Sequence, residues 1–293
     1  MSRRKIILIG GPTASGKSAL AMQIARREKG AIINADAMQV YAGLPVLTAQ
    51  PDIADRAEIP HLLYEITDPA EASSAGKWLT QAQNAIAQVT AAGRTPILVG
   101  GTGLYFRALL GGLADIPPIP DAVRVETAHL YDQLGEEEFR AALAGKDPES
   151  AARIARNDRQ RLVRAYEVVA HTGKALAAWQ QDGAAATAGD DLYERRLVLP
   201  PRDALYAACD KRFVSMIDRG AIDEVRDLMA RNLSPALPAM KILGLREIAA
   251  YLRDEITRAD MTAKAQQATR NYAKRQMTWF RNQWKDYRSG DLI

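Results

Sequence analysis

Three short segments of this 293-residue chain carry side chains that could do chemistry. The first, Gly11-Pro12-Thr13-Ala14-Ser15-Gly16-Lys17-Ser18, fits G-x-x-x-x-G-K-[ST], the spacing of a phosphate-binding loop. Its glycines let backbone N–H groups crowd around an anion, Lys17 adds a point charge, and the Ser18 hydroxyl can hold Mg²⁺. The second is Asn34-Ala35-Asp36-Ala37-Met38-Gln39-Val40-Tyr41. Asp36 falls just past an apolar run there, either as a general base beside the phosphate loop or as a turn cap. The third is Gly100-Gly101-Thr102-Gly103. Thr102 could cap the helix that follows, or present its hydroxyl and backbone N–H groups to a phosphate or a leaving oxygen.

What these residues can do depends on the elements that hold them. Lys5–Gly10 (KIILIG) reads as a short buried strand, and Lys17 onward as an amphipathic helix with Leu20 and Ile24 on one face. Strand, loop and helix in that order aim a helix N-terminus at an anion. Ala31–Asn34 and Pro96–Val99 read as further strands, Leu62–Ile66 as a weaker one, and 75–92 as a long helix. Alternating strands and helices imply a parallel sheet, in which ligands collect at the carboxyl ends of the strands. The three segments lie at such ends. The expected fold class is α/β, a P-loop core with a parallel sheet flanked by helices, plus an all-helical insertion domain. Ile116–Pro120 (IPPIP) breaks regular structure, and helical patterns then run from Asp121 to Gln181. Asp182–Asp191 is a low-complexity joint, and Glu194–Leu199 resumes as a strand. These signals divide the chain into core 1–115, insertion 116–190 and core 191–293.

Composition narrows the class. An apolar fraction of 47% with 25% charged residues is that of a soluble globular protein. One cysteine, Cys209, excludes a disulfide framework and a Cys-based zinc site, and three dispersed histidines lack ligand spacing. The basic N-terminus leads straight into the phosphate loop without a cleavage site, and no run approaches the ~20 apolar residues of a membrane span. A cytoplasmic protein without a membrane partner is expected, and, with no evident self-association seam, a monomer.

The net charge of +4 is mild, but its distribution is not. Residues 121–150 are acid-rich and 153–174 basic, with Asn157 or Asp158 placed to cap a helix carrying Arg161 and Arg164 and turning Leu162 and Val169 toward a core. From Lys264 to Arg288, seven basic residues interleave with Tyr272, Trp279, Phe280, Trp284 and Tyr287. Basic groups meet phosphates and aromatics stack on unpaired bases, although the same aromatics could be core with the cations snorkelling out. Nucleic-acid contact is the expectation. A nucleotide-hydrolysing P-loop enzyme places a carboxylate at the end of a later strand, whereas Pro96–Val99 ends in Gly-Gly-Thr-Gly. A small-metabolite kinase tolerates that, with Asp36 as base on an acceptor hydroxyl, but needs neither the basic tail nor the insertion.

Taken together the motifs resemble those of the tRNA dimethylallyltransferases, nearly end to end from about Ile6 to Arg288. The anchors are GPTASGKS (Gly11–Ser18), DAMQVY (Asp36–Tyr41), TAQP (Thr48–Pro51), VGGTGLY (Val99–Tyr105), NDRQRLVRAYEV (Asn157–Val168), KILGLREI (Lys241–Ile248) and KRQMTWFR (Lys274–Arg281). The resemblance implies transfer of a dimethylallyl group from dimethylallyl diphosphate to N6 of adenosine-37 in the tRNA anticodon arm, with Mg²⁺ as cofactor. It implies catalytic roles for Asp36, Thr102 and Arg212, with diphosphate on Gly11–Ser18 and Mg²⁺ on Ser18. It places tRNA contacts at Asp36, Ala37, Met38, Gln39, Thr102, Arg124, Gln160, Arg161, Leu162, Val163, Arg164, Lys241, Arg246, Lys274, Arg275, Gln276 and Arg281, with insertion and core gripping the anticodon arm. The chain departs from the family pattern at Ala37, where Ser is usual, at Gln50, where a cation is usual, and at Leu62, where a second histidine often stands. With Ala37, positioning of the base falls to the backbone.

Overall fold

The runs richest in β-branched and aliphatic residues become the middle of a single sheet. The structure is a computed structural model that describes residues 5–183 and 192–284. Its strands are β1 (Ile6–Gly10), β2 (Gly30–Asn34), β3 (His61–Leu62), β4 (Thr95–Gly100) and β5 (Tyr193–Leu197). They form one five-stranded sheet in the order β3-β2-β4-β1-β5, every pair parallel. β1 and β2 are buried along their whole length, as strands covered by helices on both faces must be. The register pairs Gly10 with Gly100 and Asn34 with Val99, so the carboxyl ends of β1, β4 and β2 stand level and side by side. Segments far apart in sequence are thereby brought to one rim. The Leu62–Ile66 strand is corrected: pairing stops at Leu62, because Leu63 and Glu65 adopt positive φ (64° and 54°) and turn the chain away.

The helices are α1 (Lys17–Glu28), α2 (Ile53–Glu58), α3 (Ala75–Ala91), α4 (Gly103–Gly111), α5 (Asp121–Ala144), α6 (Pro148–Arg153), α7 (Arg159–Thr172), α8 (Leu176–Gly183), α9 (Arg202–Asp218), α10 (Ala221–Ala230), α11 (Leu245–Leu252) and α12 (Arg258–Gln283). The chain divides into two compact units, Met1–Leu109 with Gly189–Ile293, and Leu110–Ala188. The sheet belongs to the first. The second is helical among its described residues and has its own core of Phe139, Leu143, Leu162, Ala165 and Val169. Buried Asp147 ties it together, accepting from Ser150 N as the cap of α6 and from Leu176 N at the start of α8. Asp158 caps α7 through Arg161 N, one of the two cap candidates seen in the sequence. Most of the 182–191 joint, from residue 184 on, lies outside the described residues, as does Tyr287.

Candidate active site

The loop after β1 owes its shape to two left-handed residues, Ala14 (φ 62°) and Gly16 (φ 88°). Left-handed residues among right-handed ones turn successive N–H groups to the same side, making an anion nest at the start of α1. The N–H groups of Gly16, Lys17 and Ser18 find no acceptor among the described residues. The buried Ser15 hydroxyl is likewise without a partner. Lys17 folds back to donate to the Pro12 carbonyl (3.1 Å). Burial pushes its ammonium down to about 8, against the opposing pull of Asp36. Arg212 on α9 donates to the Thr13 hydroxyl, and burial lowers its pKa too. A guanidinium nonetheless stays protonated at any working pH.

After β2, Asn34 builds the mount for Asp36. Its Oδ1 accepts from Asp36 N (2.8 Å), and its Nδ2 donates to the carbonyls of Asp36 (3.0 Å) and Leu63 (3.1 Å). The Asn34 carbonyl takes the indole N–H of Trp78 (2.8 Å), whose ring stacks on Tyr105 with centroids 4.2 Å apart. Asp36 Oδ1 accepts from Met38 N at 3.0 Å, which leaves Oδ2 without a partner among the described residues. After β4 the backbones nearly touch. A Cβ on Gly100 would lie 1.9 Å from the Ala35 carbonyl oxygen, so only glycine fits. Thr102 N donates to Ala35 O (3.3 Å), and Ala37 N donates to Thr102 Oγ1 (2.9 Å). The Thr102 hydroxyl thus supports the Asp36 loop rather than capping α4, and it keeps its hydrogen for another acceptor.

A cavity of about 210 Å³ opens between the loops after β1 and β2, the 241–243 segment that precedes α11, and helices α9 and α12. Thr13, Asp36, Arg212, Lys241, Tyr272 and Arg275 give it a polar side. Met38, Leu47, Phe213, Met216, Ile242 and Leu243 make an apolar wall backed by the packed core. Asp36 contributes to raising the pKa of Tyr64, Tyr105 and Tyr272 behind the larger effect of burial; Tyr105 reaches about 12. These phenols stay neutral at working pH.

Two family models match the chain: IPP transferase over residues 39–283, and isopentenyl transferase over residues 4–58. A tRNA dimethylallyltransferase of Caulobacter sp. (strain K31) is 54% identical over 98% of this chain and 93% of its own length. The chain belongs to the tRNA dimethylallyltransferase family. Another member, from Rhodospirillum centenum, is 52% identical over 96% of this chain and 89% of its own. A solved tRNA isopentenylpyrophosphate transferase from Staphylococcus epidermidis matches with a TM-score of 0.67 at 33% identity, covering 95% of this chain and 90% of that one. A eukaryotic dimethylallyltransferase acting on tRNA matches with a TM-score of 0.81 at 27% identity, over 94% and 70%. Fold and family agree with the resemblance carried by the motifs.

Within this dimethylallyltransferase the expected site residues fall into groups. Asp36, Thr102, Arg212 and the Gly11–Ser18 loop come together at the sheet rim. Lys241 and Arg275 line the cavity, and Arg246, Lys274 and Arg281 are exposed in the same unit. In the helical unit Arg124, Gln160 and Arg161 are exposed, while Val163 and Arg164 are half-buried, Arg164 bonding Glu167 at 3.2 Å. Three expectations need correction. Leu162 is 0% exposed within the helical core, so its side chain cannot touch RNA. Gln276 is buried with both amide atoms bonded inside the protein. Phe280 and Trp284 pack against each other and Phe106 rather than offering faces to bases. Gln39 turns its amide nitrogen to the carbonyls of Thr48 (2.9 Å) and Ala49 (2.8 Å). Gln50, buried, donates to Tyr41 O (3.0 Å) and accepts from Arg56 (2.9 Å), a scaffold role that needs no cation. Sequence reading missed Asn34, whose Asn-x-Asp spacing is an Asx-turn signal, and Phe213 and Met216, which carry none.

Proposed function

We propose that this enzyme transfers a dimethylallyl group from dimethylallyl diphosphate to N6 of adenosine-37 in the anticodon loop of tRNA, releasing diphosphate. The observation that carries this reading is the cavity in which a phosphate-loop residue, a carboxylate and an apolar wall meet. The diphosphate lies on Gly11–Ser18, with Lys17 and Arg212 offsetting its charge, and the five-carbon chain lies against the apolar wall. An exocyclic amine is a weak nucleophile, because its lone pair is delocalised into the ring. Asp36 takes its proton as the carbon–nitrogen bond forms and the carbon–oxygen bond to diphosphate breaks. The Thr102 O–H, the loop N–H groups and Lys17 stabilise the leaving oxygen as charge accumulates there.

Ser18, exposed in the first turn of α1, would hold Mg²⁺. Among the described residues no cluster of three or more His, Cys, Asp or Glu competes for a metal, which fits an ion held largely by substrate phosphate and water. When bound it supplies further charge stabilisation to the diphosphate. The target base must leave its stack, at a cost of a few kcal/mol. Lys241, Arg275, Lys274, Arg281 and Arg246 in the core unit, and Arg124, Gln160, Arg161 and Arg164 in the helical unit, meet the tRNA backbone. No helix among the described residues is long and apolar enough to cross a membrane.

The test is incubation with Mg²⁺, labelled dimethylallyl diphosphate and unmodified tRNA, followed by digestion to nucleosides. Label in an N6-substituted adenosine supports the reading. ATP consumption with a phosphorylated metabolite, and no label in tRNA, overturns it.

A further inference from the structure

Gln276 stands between the exposed cations Lys274 and Arg275 and Arg281 one turn on, yet it is 6% exposed. Its Oε1 accepts from Thr13 N at 2.8 Å, and its Nε2 donates to Gly101 O at 2.8 Å. Both partners agree on the amide's orientation, since a backbone N–H only donates and a carbonyl only accepts. One planar side chain therefore spans the loops that leave β1 and β4 just beyond the paired Gly10 and Gly100. One loop cradles the leaving group. The other carries Thr102, whose hydroxyl holds the Asp36 loop. Space at the second contact is tight, since a Cβ on Gly101 would lie 2.2 Å from Gln276 Nε2.

We propose that Gln276 is a positioning residue for prenyl transfer, a staple that sets the separation between the diphosphate loop and the loop bearing Thr102 and, through it, Asp36. The sheet ladder fixes the two strand ends, but past Gly10 and Gly100 nothing in the ladder fixes the loops against each other. Gln276 supplies that constraint from α12, while Arg212 grips the same Thr13 through its hydroxyl from α9. A shift of about 1 Å between reacting groups can cost on the order of 10²-fold in rate. The staple therefore acts on turnover and diphosphate affinity, not on the grip on tRNA. The proposal rests on the reading given under Proposed function for the roles of the two loops; the bonds that join them do not.

Two substitutions test it. Q276M keeps the length of the side chain and removes both bonds. G101A leaves Gln276 in place and displaces its amide. Q276M is expected to lower kcat by about 10²-fold, to weaken inorganic diphosphate binding, and to leave the tRNA KM within about twofold of wild type. G101A should reproduce that pattern, and the double variant should lose less than the product of the single losses, as coupled residues do. A raised tRNA KM with kcat intact would overturn the proposal in favour of a tRNA contact. So would a kcat loss that vanishes at temperatures well below Tm, or independent multiplication of the two effects. If Q276M does not fold, G101A alone decides between the same outcomes. If the wild type transfers no label, the functional reading fails. Inorganic diphosphate affinity then still judges the staple, and equal affinity in wild type and variants overturns it.

Discussion

The Ala37 amide donates to the Thr102 hydroxyl oxygen at 2.9 Å, so a residue after β4 holds the loop after β2 by its side chain. With Ala at position 37, no side-chain hydroxyl is present there to do this locally. Because the hydroxyl accepts from Ala37, its hydrogen is available to the leaving oxygen. Thr102→Val loses both contacts at nearly constant shape and should lower kcat by about 10²-fold or more. Thr102→Ser keeps both and should stay within several-fold of wild type. Steady-state kinetics at saturating tRNA check this; a fully active Thr102→Val would remove the hydroxyl from the reaction.

Asp36→Asn separates chemistry from architecture. An Asn Oδ1 can still accept from Met38 N, so the turn survives. The amide cannot take a proton from the attacking amine. Turnover should fall by about 10²-fold or more, while tRNA affinity measured by filter binding changes little. A wild-type rate in this variant would deny Asp36 its role as base.

Lys17 predicts a pH dependence. Its pKa is depressed by burial to about 8, so it is cationic below that pH and neutral above it. Diphosphate favours the cation, and its own last ionisation, at about 6, is past by neutral pH. The donor KM should therefore be flat near pH 7 and rise as pH climbs through about 8, with kcat less affected. Lys17→Met should bind the donor weakly at every pH and lose the inflection. An unchanged inflection in that variant would assign it to another group.

Several parts of this site could be read in the sequence because they are contiguous. Gly11–Ser18 is a single run that fits one loop pattern, and Asp36 and Thr102 follow apolar strands that announce their ends. Pairings across the chain could not be read. Gln276 meets Thr13 across 263 positions, and Glu224 takes the N–H groups of Val46 and Leu47 across 178 and 177. Nothing local in a basic run marks one glutamine as buried, so Gln276 looked like its neighbours. The 62–66 segment misled because a short run of mostly apolar and aromatic residues suggests a strand whether or not the backbone turns, and here Leu63 and Glu65 turn it. Phe280 and Trp284 illustrate the limit of composition, since an aromatic beside a cation serves a core as well as a base.

Leu162 and Arg161 are neighbours with opposite expected phenotypes. Leu162 is wholly buried with Phe139, Leu143 and Val169, whereas Arg161 is exposed, 3.5 Å from Asp158. Leu162→Ala should destabilise the helical unit by about 2–5 kcal/mol, the usual cost of truncating a packed leucine. Thermal or urea unfolding measures it. Arg161→Ala should leave unfolding nearly unchanged and weaken tRNA binding. Loss of tRNA affinity in Leu162→Ala without loss of stability would mean that the residue is a contact after all.

Arg275 lines the cavity that Asp36 also lines, and its guanidinium lies over the Tyr272 ring at 5.6 Å. A phosphate contact there releases counterions, which makes its share of the affinity depend on salt. Arg275→Ala should weaken tRNA binding and reduce the slope of log K against log salt by about 1. Arg275→Lys keeps a charge but loses the guanidinium that lies over Tyr272, so it should retain most of the slope with lower affinity. Titrations at several salt concentrations separate these effects from catalysis. A change in turnover with an unaltered salt slope would place Arg275 on the diphosphate or the base instead of the tRNA backbone.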